Sequence, residues 1–441
     1  MRHRRRYLVY GLLFLLLVIN YMDRTALWVA IIPIQHDLHL SPAMTGVVLS
    51  SFLWAYVLCV VPSGILVDRI GTRMTNTLSI TVWSLATIAT GFAGGLVALL
   101  STRVVMGLGE SATYPAGGRI TREWAPEGER GRATAIFNAG AYAGPAVGSL
   151  LAAWLLSQHG WHVMFWVVGV IGLVWLVPWL VWFRLPEHSR WLTNSERDHI
   201  TARRGTPARD AATGATGAPA LRALARQRTI WVLAIAQGTA GYTQYLFLTW
   251  LPSYLEHVHG LSVFASGTYS AIPYSAAVIG GVAIGTLSDR LLKAGGTHSG
   301  NRRNGVAACL LASSVVLAAP AITSTAGALA VISVSLMFVA TALTLNIALT
   351  NDLVRDQRAA GQANSIVILG GNTFGVLAPI ITGLIVQVSG GYTAAFIVAG
   401  ALLITGATLV LTLSRRPITT TSGHPTEPSA TPQARSADAQ A

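Results

Sequence analysis

The residues with the clearest chemical potential in this 441-residue chain lie in one apolar segment near its start. Residues 16–31 read LLVINYMDRTALWVAI, so Asp23 and Arg24 stand side by side, one turn after Asn20 and Tyr21. An ionised side chain at the centre of a bilayer costs about 2.5–3.5 kcal/mol on insertion scales, so such residues are usually functional. Arg24 carries a permanent charge on a planar fork that suits a carboxylate. The segment therefore predicts an anion site within a membrane.

A second pair of charges, Arg103 and Glu110, lies in a later apolar segment. Glu110 is about 21 Å along its predicted helix from residue 96, and apolar surroundings favour its protonated form, which is what a proton-coupling site requires. When an anion reaches Arg24, Asp23 or Glu110 can take up a proton, which couples the two movements. The alternatives are a static buried ion pair that only fixes helix packing, and a neutral Glu110 that joins helices. Arg103 either partners Asp23 or extends to the membrane interface.

The composition is that of a polytopic membrane protein. The chain is 52% hydrophobic and 11% charged, whereas soluble domains average about 25% charged residues. The net charge of +13 comes from short arginine clusters between apolar runs, with no basic helix or aromatic–basic platform, so a nucleic-acid partner is not expected. We identify no nucleophile–base set, metal motif or phosphate-binding loop, and so predict no enzyme and no cofactor.

The predicted fold is an all-α membrane protein with twelve transmembrane helices in two six-helix bundles. A spanning helix needs about 20 apolar residues. Such runs fall at 7–33, 43–67, 75–95, 96–118, 132–157, 161–184, 229–255, 264–288, 305–325, 326–348, 360–388 and 391–414. We therefore predict an N-terminal bundle at 1–184, a flexible cytoplasmic loop at 185–228, a C-terminal bundle at 229–414 and a disordered cytoplasmic tail at 415–441. The first run is interpreted as a retained helix and not a cleaved signal peptide.

Arginine placement predicts the orientation. The connections after odd-numbered runs contain no Lys or Arg, whereas the N-terminus and the connections after even-numbered runs are basic. This segregation places both termini and the central loop in the cytoplasm. The basic clusters include Arg2 and Arg4, Arg355 and Arg358, and Arg415 and Arg416.

An internal repeat supports two related halves. The pattern G-x-L-x-D-R occurs twice, 221 residues apart, each time between the second and third runs of its half. Repeated halves with the site at their interface are common in secondary transporters. The copies comprise Gly64, Asp68 and Arg69, extended by Arg73, and Gly285, Asp289 and Arg290.

Twelve runs, a basic central loop and this motif resemble the major facilitator superfamily. The resemblance implies that the motif gates the cytoplasmic side: Asp68 pairs with an arginine across the interface of the halves, and Gly64 allows close helix approach. The alternative is a solvated loop that only sets orientation.

A narrower resemblance covers most of the chain and points to the anion:cation symporter family, which includes bacterial proton-coupled carriers of sugar acids and other carboxylates. It implies a proton-coupled importer of a small organic anion in the inner membrane, functional as a monomer. The resemblance rests on Asn20-Tyr-x-Asp23-Arg24, Arg103-x-x-x-Gly107-x-Gly-Glu110, Trp250-Leu-Pro-x-Tyr254-Leu and Gly371-Asn372-x-x-Gly375 with Pro379.

Several polar residues are candidates to contact the anion, although core packing is the commoner role of a lone tyrosine. They are Arg24, Tyr21 and Tyr56 in the first half and Tyr242, Gln244 and Asn372 in the second. Sugar-acid carriers of the family often have polar or aromatic residues at three positions that here are Ala141, Ile347 and Ile368. We therefore expect a less polar cavity, which suits an apolar, aromatic or dicarboxylic acid at least as well as a hexonate.

One competing pattern favours a drug:proton antiporter. Gly140, Gly144, Pro145 and Gly148 resemble that group's motif in the fifth helix, although the same spacing suits any closely packed helix. A non-transporting membrane sensor is a third possibility, but the chain carries no recognisable output domain.

Overall fold

The computed structural model describes most of the chain as helix. The described residues are 5–126, 129–189, 191–202, 218–295, 299–354, 360–414 and 418. The arginines at 2, 4, 355, 358, 415 and 416 lie outside them. Gly285, Asp289 and Arg290 fall within a helix, but the side chains of this second copy of the loop motif lie outside the described set.

The first half consists of five helical elements. Helix α1 runs over Tyr7–Asp37, α2 over Pro42–Thr90, α3 over Leu96–Glu110, α4 over Thr113–Trp124 and α5 over Arg130–Trp182. The sequence predicted a single fourth span where α3 and α4 stand end to end, separated by a short turn just after Glu110.

Helices α2 and α5 each contain two membrane crossings. They have 49 and 53 residues, which is roughly 75 Å at 1.5 Å per residue and far more than one bilayer requires. Each is divided by a glycine with positive φ, Gly71 at 80° and Gly160 at 77°. A residue with a Cβ is strained in that conformation, so glycine allows the chain to reverse there.

The second half continues the pattern after two short central helices, α6 (Asn194–Ala202) and α7 (Ala218–Ala225). The ninth predicted span of the chain begins as α10 (Ser299–Ser313) and finishes as a 3-10 helix at Ser314–Ala321. Among the described residues, seven helices are long and apolar enough to cross a membrane. The remaining helices are α8 (Arg228–His259), α9 (Val263–Gly295), α10 (Ser299–Ser313), α11 (Thr325–Leu353), α12 (Ala360–Ser389) and α13 (Thr393–Leu413).

The two halves meet closely near one membrane face, which we call the Asp37 face because α1 ends there at Asp37. A Cβ at Gly46 of α2 would overlap the carbonyl oxygen of Pro379 in α12, and one at Gly383 would overlap the carbonyl oxygen of Pro42. Gly267 of α9 packs in the same way on α5. These crossings explain why small residues occur at the interface.

The segment predicted as a flexible loop contains ordered structure against the first half. Arg6 bonds the Glu129 carboxylate through two nitrogens, at 3.0 and 2.7 Å. It also contacts Glu196 of α6 at 3.3 Å. Glu196 is only 1% exposed. No apolar run of spanning length occurs here. The segment is attached by these long-range charges and by apolar contact, since the ring of Trp191 stacks on that of Trp124 at 5.4 Å and Ile200 is fully buried. In the tail, Ile418 donates a backbone hydrogen bond to Leu353 at 2.8 Å.

The first copy of the loop motif departs from two expectations. Asp68 does pair with an arginine, Arg119 of α4, at 2.7 Å, but this residue belongs to the same half and not to the opposite one. Arg119 also bonds Glu123. Gly64 has open space where a Cβ would lie, so it does not mediate a close helix contact. Arg73 donates to the Leu180 carbonyl at 2.6 Å, and Arg69 is exposed.

Candidate functional site

A buried ion pair joins α1 to α3. The Nε atom of Arg24 lies 2.7 Å from Oε2 of Glu110, and the two side chains are 6% and 0% exposed. Three aromatic rings surround the guanidinium: its Cζ atom lies 4.5 Å from the ring centroid of Phe52, 4.6 Å from Tyr21 and 5.0 Å from Tyr56. Such contacts stabilise a cation out of water. The predicted partnership of Arg24 and Glu110 is therefore present, inside an aromatic enclosure.

Asp23 and Arg103 form the second part of the same cluster. Asp23 is fully buried, and its electrostatic neighbours are Glu110, Arg103 and Arg24. Arg103 is 1% exposed, donates to the hydroxyl of Thr90 and lies 5.3 Å from the ring of Phe165. Arg103 therefore does not extend to the membrane interface. It neutralises charge inside the bundle.

The cluster has unused hydrogen-bonding capacity. Within the described part of the chain, five buried polar atoms of the cluster make no hydrogen bond: both Asp23 oxygens, Oε1 of Glu110, Nη2 of Arg24 and Nε of Arg103. Trp83 is a polar neighbour of Asp23, and Asn20 is one of Glu110. Two arginines and two carboxylates make the cluster electrically balanced when both acids are ionised. Unsatisfied buried charge is costly, so structural packing alone does not account for this arrangement.

A cavity of about 330 Å³ lies between the halves. The Tyr21 ring borders it on one side and covers Arg24 on the other, while Arg24 borders a separate, water-sized pocket. The Tyr21 hydroxyl contacts the Tyr114 hydroxyl at 3.3 Å. The cavity lining comprises Tyr21, Tyr114, Asn138, Ala141, Pro145, Gln244, Leu248, Tyr274, Ala277, Leu336, Val339, Ala340 and Thr344.

The predicted contact residues divide into two groups. Tyr21 and Gln244 border the cavity, and Tyr56 belongs to the enclosure around Arg24. Tyr242 and Asn372 do not border the cavity. Tyr242 is 1% exposed and has Thr382 of α12 as its polar neighbour, so it packs inside the second half.

Three residues that line the cavity, Tyr114, Asn138 and Tyr274, are not among the candidates from the sequence. Helical spacing could have indicated two of them. Tyr114 follows Glu110 by four residues, and Asn138 precedes Ala141 by three, so each shares a helical face with a residue already singled out. Tyr274 has no comparable sequence signal. Of the three positions expected to make the cavity less polar, only Ala141 borders it; Ile347 and Ile368 do not.

The glycines of the fifth span have a packing role. A Cβ at Gly140 or Gly144 would overlap the α1 backbone at Phe14 or Val18, and one at Gly148 would overlap Met22. This close crossing positions the α1 segment that carries Asp23 and Arg24. The glycine pattern therefore needs no antiporter function to explain it.

This chain is similar to known transporters over about nine-tenths of its length. The "D-galactonate transporter" of Escherichia coli O6:H1 is 29% identical over 92% of this chain and 94% of its own length. A "Probable galactarate/D-glucarate transporter" of Bacillus subtilis is 32% identical over 90% and 89%. A "Probable sulfoacetate transporter" of Cupriavidus necator is 31% identical over 92% and 93%.

A solved structure confirms the fold. A bacterial homolog of the human lysosomal transporter Spinster, in an inward-facing and unoccupied conformation, superposes with a TM-score of 0.76. It is 21% identical and covers 93% of this chain and 97% of its own. The model of the Major Facilitator Superfamily matches residues 13–297 and 293–437. The chain is therefore a multi-pass membrane transporter, not an enzyme, and it belongs to the major facilitator superfamily.

Proposed function

We propose that this protein imports a small organic anion together with protons, by alternating access, across the inner membrane of a bacterium. The observation that carries the proposal is the Arg24–Glu110 ion pair beside the buried carboxylate of Asp23, whose oxygens make no hydrogen bond to the described residues. The transporter names of the relatives, which refer to sugar acids and to sulfoacetate, support an organic acid as substrate.

Coupling follows from competition for Arg24. A bidentate substrate carboxylate satisfies the guanidinium in place of Glu110. The released Glu110 carboxylate would then be buried without a counter-charge, so it takes up a proton. Asp23, held between Arg103 and Glu110, is the second protonation site. Loss of the anion restores the ion pair and expels the proton, which links the two fluxes without covalent chemistry.

The proposed orientation implies that the molecule is in an inward-facing conformation. With both termini and residues 185–228 in the cytoplasm, the Asp37 face is periplasmic. The close crossings at Gly46 and Gly383 then seal the periplasmic side, which corresponds to an inward-facing carrier whose Arg24 is paired internally. We propose that the bundles at 1–184 and 229–414 rock about these crossings, within a single monomer.

The experiment is transport by the full-length protein in proteoliposomes, with protein-free liposomes as background. Radiolabelled 4-hydroxybenzoate and radiolabelled D-galactonate are supplied with and without an inward proton gradient. We expect the gradient to drive accumulation in the wild type. Glu110→Gln should retain exchange of internal for external substrate but lose accumulation. Glu256→Gln, in which a glutamate outside the cluster is replaced, is the matched control and should behave as wild type. Accumulation by Glu110→Gln would refute the coupling role.

A further inference from the structure

The part of the cavity wall supplied by the second half is mainly apolar. Five of its eight residues are aliphatic side chains of α8, α9 and α11, and none of these five is more than 9% exposed. These residues are Leu248, Ala277, Leu336, Val339 and Ala340. A molecule held there contacts carbon along this wall, whereas the charges of the site all lie in the first half.

The hydroxyl groups of the cavity are already engaged. The Tyr274 hydroxyl donates to the Phe247 carbonyl at 3.2 Å, inside its own half. The Thr344 hydroxyl donates to the carbonyl one turn earlier in its helix, at 3.0 Å. The hydroxyls of Tyr21 and Tyr114 contact each other. The donors of Tyr274 and Thr344 are thereby used, and only one of the two paired tyrosine hydroxyls keeps a free hydrogen, so these groups can accept hydrogen bonds from a ligand but offer it a single donor.

Two amides are the remaining polar groups of the lining. Asn138 of α5 and Gln244 of α8 border the cavity, and neither makes a side-chain hydrogen bond within the described part of the chain. Together with the Arg24 fork behind Tyr21, they can satisfy one carboxylate and one further polar group.

We propose that the carried anion is a monocarboxylate with an aromatic or similarly apolar body and at most one additional polar group. This inference rests on the proposed function. A polyhydroxylated acid of the same size would lose several hydrogen bonds to water against the α11 wall, with no partners to replace them. An aromatic ring loses none, buries its full surface, and can pack on the faces of Tyr21, Tyr114 and Tyr274. The cavity volume is at the small end for ligand sites, which also suits a compact acid.

Direct binding to the purified full-length protein tests this assignment. Dissociation constants are measured by calorimetry for benzoate, phenylacetate and 4-hydroxybenzoate, and for D-galactonate and D-glucarate. We expect the aromatic acids to bind at least tenfold more tightly than the sugar acids. Arg24→Ala should abolish binding of both classes.

A conservative variant tests the wall itself. Val339→Thr keeps the side-chain shape but adds a hydroxyl to the cavity, and it should weaken benzoate binding three- to tenfold without weakening D-galactonate. Val334→Thr makes the same change on the same helix at a 40% exposed position outside the lining, and should have no effect. Thermal unfolding confirms that both variants fold.

The outcomes separate this inference from the proposed function. Arg24-dependent binding in which D-galactonate or D-glucarate exceeds the aromatic acids would overturn the apolar substrate class and leave anion transport standing. Failure of both classes to bind would overturn the proposed function, and the inference with it. If Val339→Thr and Val334→Thr weaken benzoate binding equally, the apolar wall does not select the substrate.

Discussion

Arg24 and Glu110 are separated by 86 residues in sequence but by 2.7 Å in space. The contact fixes α1 against α3 at the depth where an anion would bind. Its distinctive feature is that one carboxylate and three rings hold the arginine, while its Nη2 atom makes no hydrogen bond to any residue that the structure describes. A site of this type can exchange an internal partner for an external one.

The first prediction concerns the shape of the cation. Arg24→Lys preserves the charge but removes the planar fork and its contacts with the rings of Phe52 and Tyr56. We expect carboxylate affinity to fall at least tenfold, measured by calorimetry on the folded variant. Arg69→Lys, at an exposed position, is the matched control. Retention of wild-type affinity in Arg24→Lys would show that charge alone suffices and that the fork is unimportant.

The second prediction concerns the closed Asp37 face. Gly46→Ala places a methyl group in overlap with the carbonyl oxygen of Pro379. Because this oxygen belongs to the backbone, it cannot move aside as a flexible side chain can. We expect the two halves to separate on this face, which favours the opposite-facing state. Cys59 and Cys309 are first replaced, and the measurement is the distance between spin labels at positions 43 and 387. In the closed state the backbone nitrogen of Ala43 lies 3.1 Å from Oε1 of Gln387.

Gly64→Ala is the control for that experiment. It makes the same substitution in the same helix where a Cβ meets open space, so the label distance should remain short. An unchanged distance in Gly46→Ala as well would mean that the crossing does not determine the conformational equilibrium.

The third prediction concerns the attachment of α6. Arg6→Ala leaves Glu196 buried without its cation, and breaking a buried pair in this way costs about 3–5 kcal/mol. We expect a clear fall in the apparent Tm of the purified protein. Glu196→Gln in the Arg6→Ala background should recover part of the loss, because it removes the uncompensated charge. Additive effects of the two substitutions would argue against a direct pair.

The fold and the charged cluster around Arg24 could both be predicted from the sequence, because both depend on the cost of placing charge in an apolar membrane. Apolar runs of spanning length and charges inside them are strong local signals, so the twelve-helix fold and the location of Arg24 and Glu110 could be recognised without coordinates. The partner of Asp68, the attachment of Glu196 to Arg6 and the position of Tyr274 depend on how helices rotate and cross. These contacts join residues far apart in sequence, and no local pattern encodes them. For Gly64 the local motif predicted a close helix contact that the structure does not contain. A glycine within a motif therefore need not mediate a close contact.

The fourth prediction separates stability from coupling within the charged cluster. Among the described residues neither carboxylate oxygen of Asp23 accepts a hydrogen bond, and Asp23 is repelled by Glu110 as well as attracted by Arg103. Because these two effects oppose each other, Asp23→Asn should change the apparent Tm little. Glu110→Gln should lower the apparent Tm, because it breaks the ion pair with Arg24. Both variants should nonetheless lose accumulation driven by a proton gradient, measured in proteoliposomes. A large loss of stability in Asp23→Asn would instead show that the ionised carboxylate holds the bundle together through Arg103, and that Asp23 is a structural ion-pair member and not a protonation site.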